Sequence, residues 1–123
     1  MFEVEIRRAF SAAHQLKGYD GDCKNLHGHN YSVVVRVAAE KLNDIGIALD
    51  FKALKAALDE VISGYDHRNL SELPEFQAVN PTSEILAKVI YDRMGKRLNG
   101  DGVKVESVRI GESENSAITY SED

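Results

Sequence analysis

The sequence of 123 residues contains one cysteine, two prolines and four histidines. A single cysteine cannot form an internal disulfide, which predicts a protein of the reducing cytoplasm. No apolar run is long enough to cross a membrane, and the first residues lack the basic and then apolar pattern of a signal peptide. Lysine and arginine together number 15 against 20 acidic residues, which gives a formal net charge of -5. That balance argues against general binding to nucleic acid and leaves a small-molecule partner.

The composition is that of one soluble globular domain. Hydrophobic residues make up 43% and charged residues 28% of the chain, and the length suffices to bury an ordinary core. No repeat, low-complexity tract or linker interrupts it. We therefore expect a single domain over residues 1–123.

Histidine and cysteine are concentrated in one short stretch, which holds Cys23, His27 and His29. Side chains two residues apart lie on the same side of a strand, so His27 and His29 can hold one ion. His14 shares the parity of the apolar residues of the first strand and is the natural third ligand. Three protein ligands and an open position are typical of catalytic zinc. This predicts a zinc site at His14, His27 and His29, against the alternative of a turn with incidental imidazoles.

Cys23 lies in a polar, loop-like context that predicts an accessible thiol. A nearby zinc ion or imidazolium would favour its thiolate form and make it a base or nucleophile. Two alternatives remain open on spacing alone. In the first alternative, the cysteine is a small buried thiol without a function. In the second, it is the fourth ligand of a structural zinc site.

Two further candidates lie later in the chain. His67 follows Asp66 in a polar loop, and with Cys23 this pair would complete a thiol, imidazole and carboxylate set able to move protons. Taken alone, Asp66 and His67 are typical of a solvated surface pair. Glu112 ends a strand, and composition alone favours an exposed turn carboxylate there.

Residue patterns predict strands over 2–10, 30–38, 103–110 and 115–121. Asp50 is the expected N-cap of a helix over 51–63, and Asn80 or Thr82 caps a second helix. The order strand, strand, helix, helix, strand, strand predicts an α+β fold, a four-stranded antiparallel sheet with both helices on one face. Its two open edges predict a homo-oligomer.

The combination and order of several short motifs resemble the 6-pyruvoyltetrahydropterin synthase family. They extend nearly from end to end of the chain: Ser11-Ala12-Ala13-His14, Cys23 through Tyr31, Leu49-Asp50-Phe51, Tyr65-Asp66-His67, Asn80-Pro81-Thr82-Ser83-Glu84 and Ile110-Gly111-Glu112-Ser113. The short spacing between Cys23 and His27 resembles the bacterial branch that serves queuosine biosynthesis. Gly111 departs from the bulkier residue often found before the glutamate.

The resemblance implies a function and a set of roles. The fold would be the tunnelling fold, assembled as a trimer or a dimer of trimers with active sites between subunits. Zinc at His14, His27 and His29 would bind the side-chain hydroxyls of a pterin triphosphate, and Cys23 would abstract a proton with Asp66 and His67 as its relay. Glu112 would anchor the pterin ring, in a pocket also lined by Thr82 and Ser83.

The reaction implied is conversion of 7,8-dihydroneopterin triphosphate to 6-carboxytetrahydropterin with loss of acetaldehyde and triphosphate. The triphosphate has four candidate partners: Arg7, Arg8, Lys24 and Arg68. Three rival hypotheses remain: a pyruvoyl-type synthase that retains the carbon chain, a non-catalytic pterin- or metal-binding module, and a purely structural zinc protein.

Overall fold

The protein is described by a computed structural model that covers residues 1–18 and 25–123. Its regular elements are, in chain order, β1 (Phe2–His14), β2 (His27–Ala39), α1 (Phe51–Ile62), β3 (Arg68–Asn69), α2 (Ser83–Leu98), β4 (Val103–Ser113) and β5 (Ser116–Ser121). Two 3-10 turns, Leu70–Glu72 and Pro74–Phe76, join β3 to α2. Over these residues, no helix combines the length and the apolar character needed to cross a membrane.

Strands β1 and β2 pair along their whole length as antiparallel neighbours, from Phe2 opposite Ala39 to His14 opposite His27. Alternation places their apolar residues on one face, where Phe10 stacks on Tyr31 with ring centroids 5.1 Å apart. Both strands extend beyond the predicted bounds, to His14 in β1 and from His27 in β2. The alternation that predicted the strands therefore also brings the histidines into the sheet.

The sheet has five strands in the order β3-β1-β2-β4-β5, so the prediction of four strands was wrong. The additional strand, β3, lies between the two helices in the chain and pairs in parallel with Ala12 and Ala13 of β1. It has two residues, too few to show the alternation by which strands are recognised. The predicted order of elements is corrected accordingly, while the α+β class and its two helices are confirmed.

Both helices pack on the apolar face of the sheet and enclose one core. Leu54 and Leu58 of α1 and Leu86 and Ile90 of α2 are buried in the same cluster as Val35 of β2. Asp50 caps α1 through the Lys52 amide, as predicted. Of the two candidates for the second cap, Thr82 is the residue that accepts a hydrogen bond, from the Ile85 amide.

Candidate metal and pterin site

Three imidazoles converge at the end of the β1–β2 pair. His14 lies opposite His27, and His29 lies opposite Ala12 on the same face. One ligand atom from each histidine lies within 4.8 Å of the others. The fourth histidine, His67, is described by the structure but does not belong to this cluster. These three histidines can therefore hold a metal ion.

The hydrogen bonds of two imidazoles fix which nitrogen carries the proton. His14 Nδ1 lies 2.8 Å from the Pro81 carbonyl oxygen, and His27 Nδ1 lies 2.8 Å from the Asn25 carbonyl oxygen. A carbonyl oxygen only accepts, so each Nδ1 must donate and each neutral ring leaves Nε2 with a free lone pair. This arrangement aims the two Nε2 atoms at the interior of the site.

The two Nε2 atoms, of His14 and His27, are 3.0 Å apart. Neutral rings with this tautomer place no proton between them, so their lone pairs repel each other. The Nε2 atom of His29 is buried and has no hydrogen-bond partner among the described residues. Ligand nitrogens of tetrahedral zinc are about 3.3 Å apart for bonds of ~2.0–2.1 Å. A cation shared by the three nitrogens would satisfy all of them, so these residues fit a metal ion.

The surroundings of His29 favour its neutral form, which is the form that ligates a metal. Burial lowers the pKa of His29 below its ordinary value, and the nearby His14 and His27 lower it further. The carboxylate of Glu112 acts in the opposite direction and raises that pKa. Glu112 is therefore close enough for its negative charge to act on the His29 imidazole.

Glu112 is held by the first turn of α2. The buried Ser83 hydroxyl donates to Glu112 Oε1 at 2.6 Å. Thr82 is engaged differently, because its hydroxyl oxygen caps the helix by accepting from the Ile85 amide. A cavity of about 230 Å³ opens beside Ser83 and Glu112. One carboxylate oxygen is thus fixed at the wall of a pocket.

Asp66 and His67 form a pair apart from the imidazole cluster, and His67 borders a cavity that also reaches His29. Their side chains are 3.5 Å apart, from Asp66 Oδ1 to His67 Nδ1, and the His67 ring is 80% exposed. A cavity of about 480 Å³ is lined by both His67 and His29. A second cavity, of about 660 Å³, is lined by His29 and Glu112. His29 thus borders two cavities, one that it shares with His67 and one that it shares with Glu112.

Two predicted residues, Cys23 and Lys24, lie outside the described residues. The sequence analysis missed the Pro81 carbonyl and Tyr31, whose hydroxyl lies 3.1 Å from His14 Nδ1. Tyr31 shares the parity of His27 and His29, a signal that could have revealed it. The Pro81 carbonyl is a backbone group and leaves no signature of this kind.

Comparison of the sequence with known proteins identifies the family to which it is similar. The model of the 6-pyruvoyl tetrahydropterin synthase family matches residues 3–123. The 6-carboxy-5,6,7,8-tetrahydropterin synthase of Synechocystis sp. is 36% identical, over 91% of this chain and 87% of that protein. The dihydroneopterin monophosphate aldolase of Pyrococcus furiosus is 37% identical, over 89% and 88% of the two chains.

A solved structure has the same fold. The 6-pyruvoyl tetrahydropterin synthase of Caenorhabditis elegans superposes with a TM-score of 0.88 at 27% identity, covering 99% of this chain and 96% of that one. Together with the family match over nearly all of the sequence, this establishes the relationship. The chain belongs to the 6-pyruvoyl tetrahydropterin synthase family.

Proposed function

We propose that the protein is a zinc-dependent 6-carboxy-5,6,7,8-tetrahydropterin synthase. Its reaction would convert 7,8-dihydroneopterin triphosphate to the 6-carboxy product, release acetaldehyde and triphosphate, and serve queuosine biosynthesis in the cytoplasm. The observation that carries the proposal is the convergence of His14, His27 and His29 on one point within 4.8 Å. Relatives with the 6-carboxy name support the choice of product.

His14, His27 and His29 would hold the metal through nitrogen, a ligand set that suits zinc. Bound zinc would supply Lewis-acid polarisation and acidify the side-chain hydroxyls of the substrate. The protein supplies the orientation of the ligands, because the Pro81 and Asn25 carbonyls fix the His14 and His27 rings. Such outer hydrogen bonds also raise the basicity of a metal-binding imidazole.

Glu112 would bind the aminopyrimidine edge of the pterin. A carboxylate accepts two parallel hydrogen bonds from such an edge. Ser83 donates one hydrogen bond to Oε1 of Glu112 and so orients the carboxylate. Ser83 would therefore lie beside the bound pterin ring. Thr82 would line the same pocket while capping α2.

Proton transfer would involve Cys23, His67 and Asp66. Cys23 would remove a proton from the substrate side chain, and His67 would exchange it with the support of the Asp66 carboxylate. The His67 ring is 80% exposed and therefore free to meet groups from elsewhere in an assembly. Arg7 lines the cavity shared by His29 and Glu112, and Arg68 lines the cavity shared by His29 and His67, which favours these two among the candidates for the triphosphate.

An oligomer would complete this site. Within the described residues, β3 covers only Ala12 and Ala13 of the outer edge of β1, and β5 forms the other edge of the sheet. Exposed strand edges of this kind pair readily with other chains. We propose a trimer or a dimer of trimers, and a monomer in light scattering at micromolar concentration would count against it.

The deciding experiment is incubation of the zinc-loaded protein with 7,8-dihydroneopterin triphosphate, followed by mass analysis of the pterins and an acetaldehyde assay. Formation of 6-carboxytetrahydropterin with matching acetaldehyde is the expected result. A product that keeps its carbon chain would identify a pyruvoyl-type synthase, and metal-dependent binding without turnover would identify a binding module. The Pyrococcus furiosus relative makes dihydroneopterin monophosphate the second substrate to test in parallel.

Replacing Cys23 by alanine separates catalysis from structural zinc binding. As a base, Cys23 can be removed while metal content, circular dichroism and oligomeric state are kept and turnover is lost. As a fourth zinc ligand, its removal would weaken metal retention and folding. Metal analysis of the purified variant distinguishes these outcomes.

A further inference from the structure

The turn that carries Asp66 and His67 has a strained backbone. It is closed by the Arg68 amide, which donates to the Tyr65 carbonyl oxygen at 3.2 Å. His67 has a φ of 58°, in the left-handed region that residues with side chains rarely adopt. Such a conformation is unfavourable for a residue with a side chain and persists only when surrounding contacts enforce it.

Strand β1 holds one side of this turn. The His67 amide donates to the Ser11 carbonyl oxygen at 2.6 Å, and the Ser11 amide donates to Asp66 Oδ1 at 3.0 Å. Both bonds use the backbone of a residue three positions before His14. The Asp66 and His67 pair is therefore tied directly to the strand that carries a metal ligand.

Tyr65 holds the other side of the turn from within the core. The residue is 1% exposed, and its ring lies between Phe10 and Phe76, with centroids 6.4 Å and 6.1 Å away. Its hydroxyl accepts from Arg93 at 2.5 Å and donates to Glu75 Oε2 at 3.2 Å. Arg93 closes the triangle by donating to the same Glu75 oxygen at 2.7 Å.

This triangle connects the turn to α2, the helix whose first residue holds Glu112. Arg93 lies within α2 and Glu75 lies in the 3-10 turn before it. Ser83, at the start of the same helix, contacts Glu112. One helix is thus the common support for the candidate pterin anchor and, through Tyr65, for the candidate proton relay.

We propose that Tyr65, Glu75 and Arg93 form a positioning cluster that fixes the Asp66–His67 turn relative to Glu112 and the metal ligands. None of the three would touch the substrate. For the roles of Asp66, His67 and Glu112 the inference rests on the proposed function. The position of the turn itself is a property that can be measured without any reaction.

Arg97 provides a matched control on the same helix. It lies one turn after Arg93, has a side chain 36% exposed compared with 39% for Arg93, and pairs with Glu60 at 3.3 Å. Its hydrogen bonds go to Glu60 and to the Arg93 carbonyl oxygen, so it has no bond to the turn. Arg97→Gln removes a comparable charge and ion pair without reaching Tyr65.

The experiment compares Arg93→Gln and Tyr65→Phe with Arg97→Gln in the zinc-loaded, full-length protein. Tyr65→Phe keeps the buried ring and removes only the hydroxyl, so it remains usable if loss of Arg93 prevents folding. Amide hydrogen exchange of Ser11 and His67 reports on the turn, while steady-state kinetics with the pterin substrate separates kcat from KM. Metal content and melting temperature are measured for each variant.

For Arg93→Gln, we expect exchange of the two amides to accelerate and kcat to fall by roughly tenfold or more, with metal content and KM nearly unchanged. Tyr65→Phe should show the same pattern to a smaller extent, and Arg97→Gln should show neither effect. Equal kcat and equal amide exchange in Arg93→Gln and Arg97→Gln would overturn the inference. If the wild-type protein turns over no pterin, the proposed function fails, and amide exchange alone then decides for or against the positioning cluster.

Discussion

We expect zinc to stabilise the protein, and removal of one imidazole should abolish most of that stabilisation. The change is His27→Ala. A ligand that binds only the folded state contributes about 2.7 kcal/mol at a free concentration of ~100 times its Kd. A domain of this length gains roughly 3–5 °C per kcal/mol, so saturating zinc should raise the wild-type melting temperature by about 10 °C. His27→Ala leaves two ligands and should lose nearly all of that gain.

The metal-free proteins should behave differently. In the wild type the Nε2 atoms of His14 and His27 face each other at 3.0 Å, and both bear lone pairs when the rings are neutral. Removing His27 eliminates this repulsion together with a partly exposed side chain. We therefore expect the metal-free variant to melt within a few degrees of the metal-free wild type, a change of about 1 kcal/mol or less.

The assay is thermal unfolding by circular dichroism at increasing zinc, with chelator-treated protein as the starting point. His67→Gln is the control, because it removes the one histidine outside the described cluster. It should keep the full zinc-dependent rise. The reasoning would be refuted if zinc stabilised His27→Ala as much as wild type, or if His67→Gln lost the rise.

Three further outcomes are expected. Thr82→Ala removes the cap on the Ile85 amide and should cost about 1 kcal/mol in urea denaturation, whereas an unchanged midpoint would contradict this role. Glu112→Gln should raise KM about tenfold or more through loss of charge-assisted hydrogen bonds, with zinc content retained; unaltered KM would exclude it as the pterin anchor. Burial raises the pKa of Tyr65 from 10.0 to about 12. Between these pH values unfolding releases the Tyr65 proton, so the free energy of unfolding should decrease as the pH rises. The decrease should be smaller in Tyr65→Phe, which has no hydroxyl to titrate. Equal slopes in both proteins would refute this assignment.

Much of the fold could be predicted because β1, β2 and α1 carry periodic apolar patterns that match their burial. Residues Val33, Val35 and Val37 alternate in the sequence and are all buried in the core. The strand β3 could not be predicted, because it depends on contacts made by distant residues. The bonds from the Asp66–His67 turn to Ser11 bring Arg68 and Asn69 beside β1, and nothing within those two residues specifies a strand.

The candidate site divides in the same way. The three imidazoles could be grouped from the sequence because strand parity is a local property. Ser83 and Glu112 are 29 positions apart in the sequence. The three bonds among Tyr65, Glu75 and Arg93 join residues that are 10, 18 and 28 positions apart. Such contacts depend on how helices and turns pack, which no local pattern records. The catalytic roles of Cys23, Asp66, His67 and Glu112 are predictions that activity measurements will test.

The placement of His14 directly opposite His27 has a consequence for how the chain tolerates change. These two residues are the last pair of β1 and β2 before the segment that connects the strands, so a metal held between them would fasten the strand ends next to that connection. Closing a longer connection costs little entropy, about 0.6 kcal/mol for each doubling of its length. With the strand ends fastened in register, insertions or deletions between His14 and His27 would not shift either strand. Variation in that segment would change what approaches the metal while leaving the metal ligands in place.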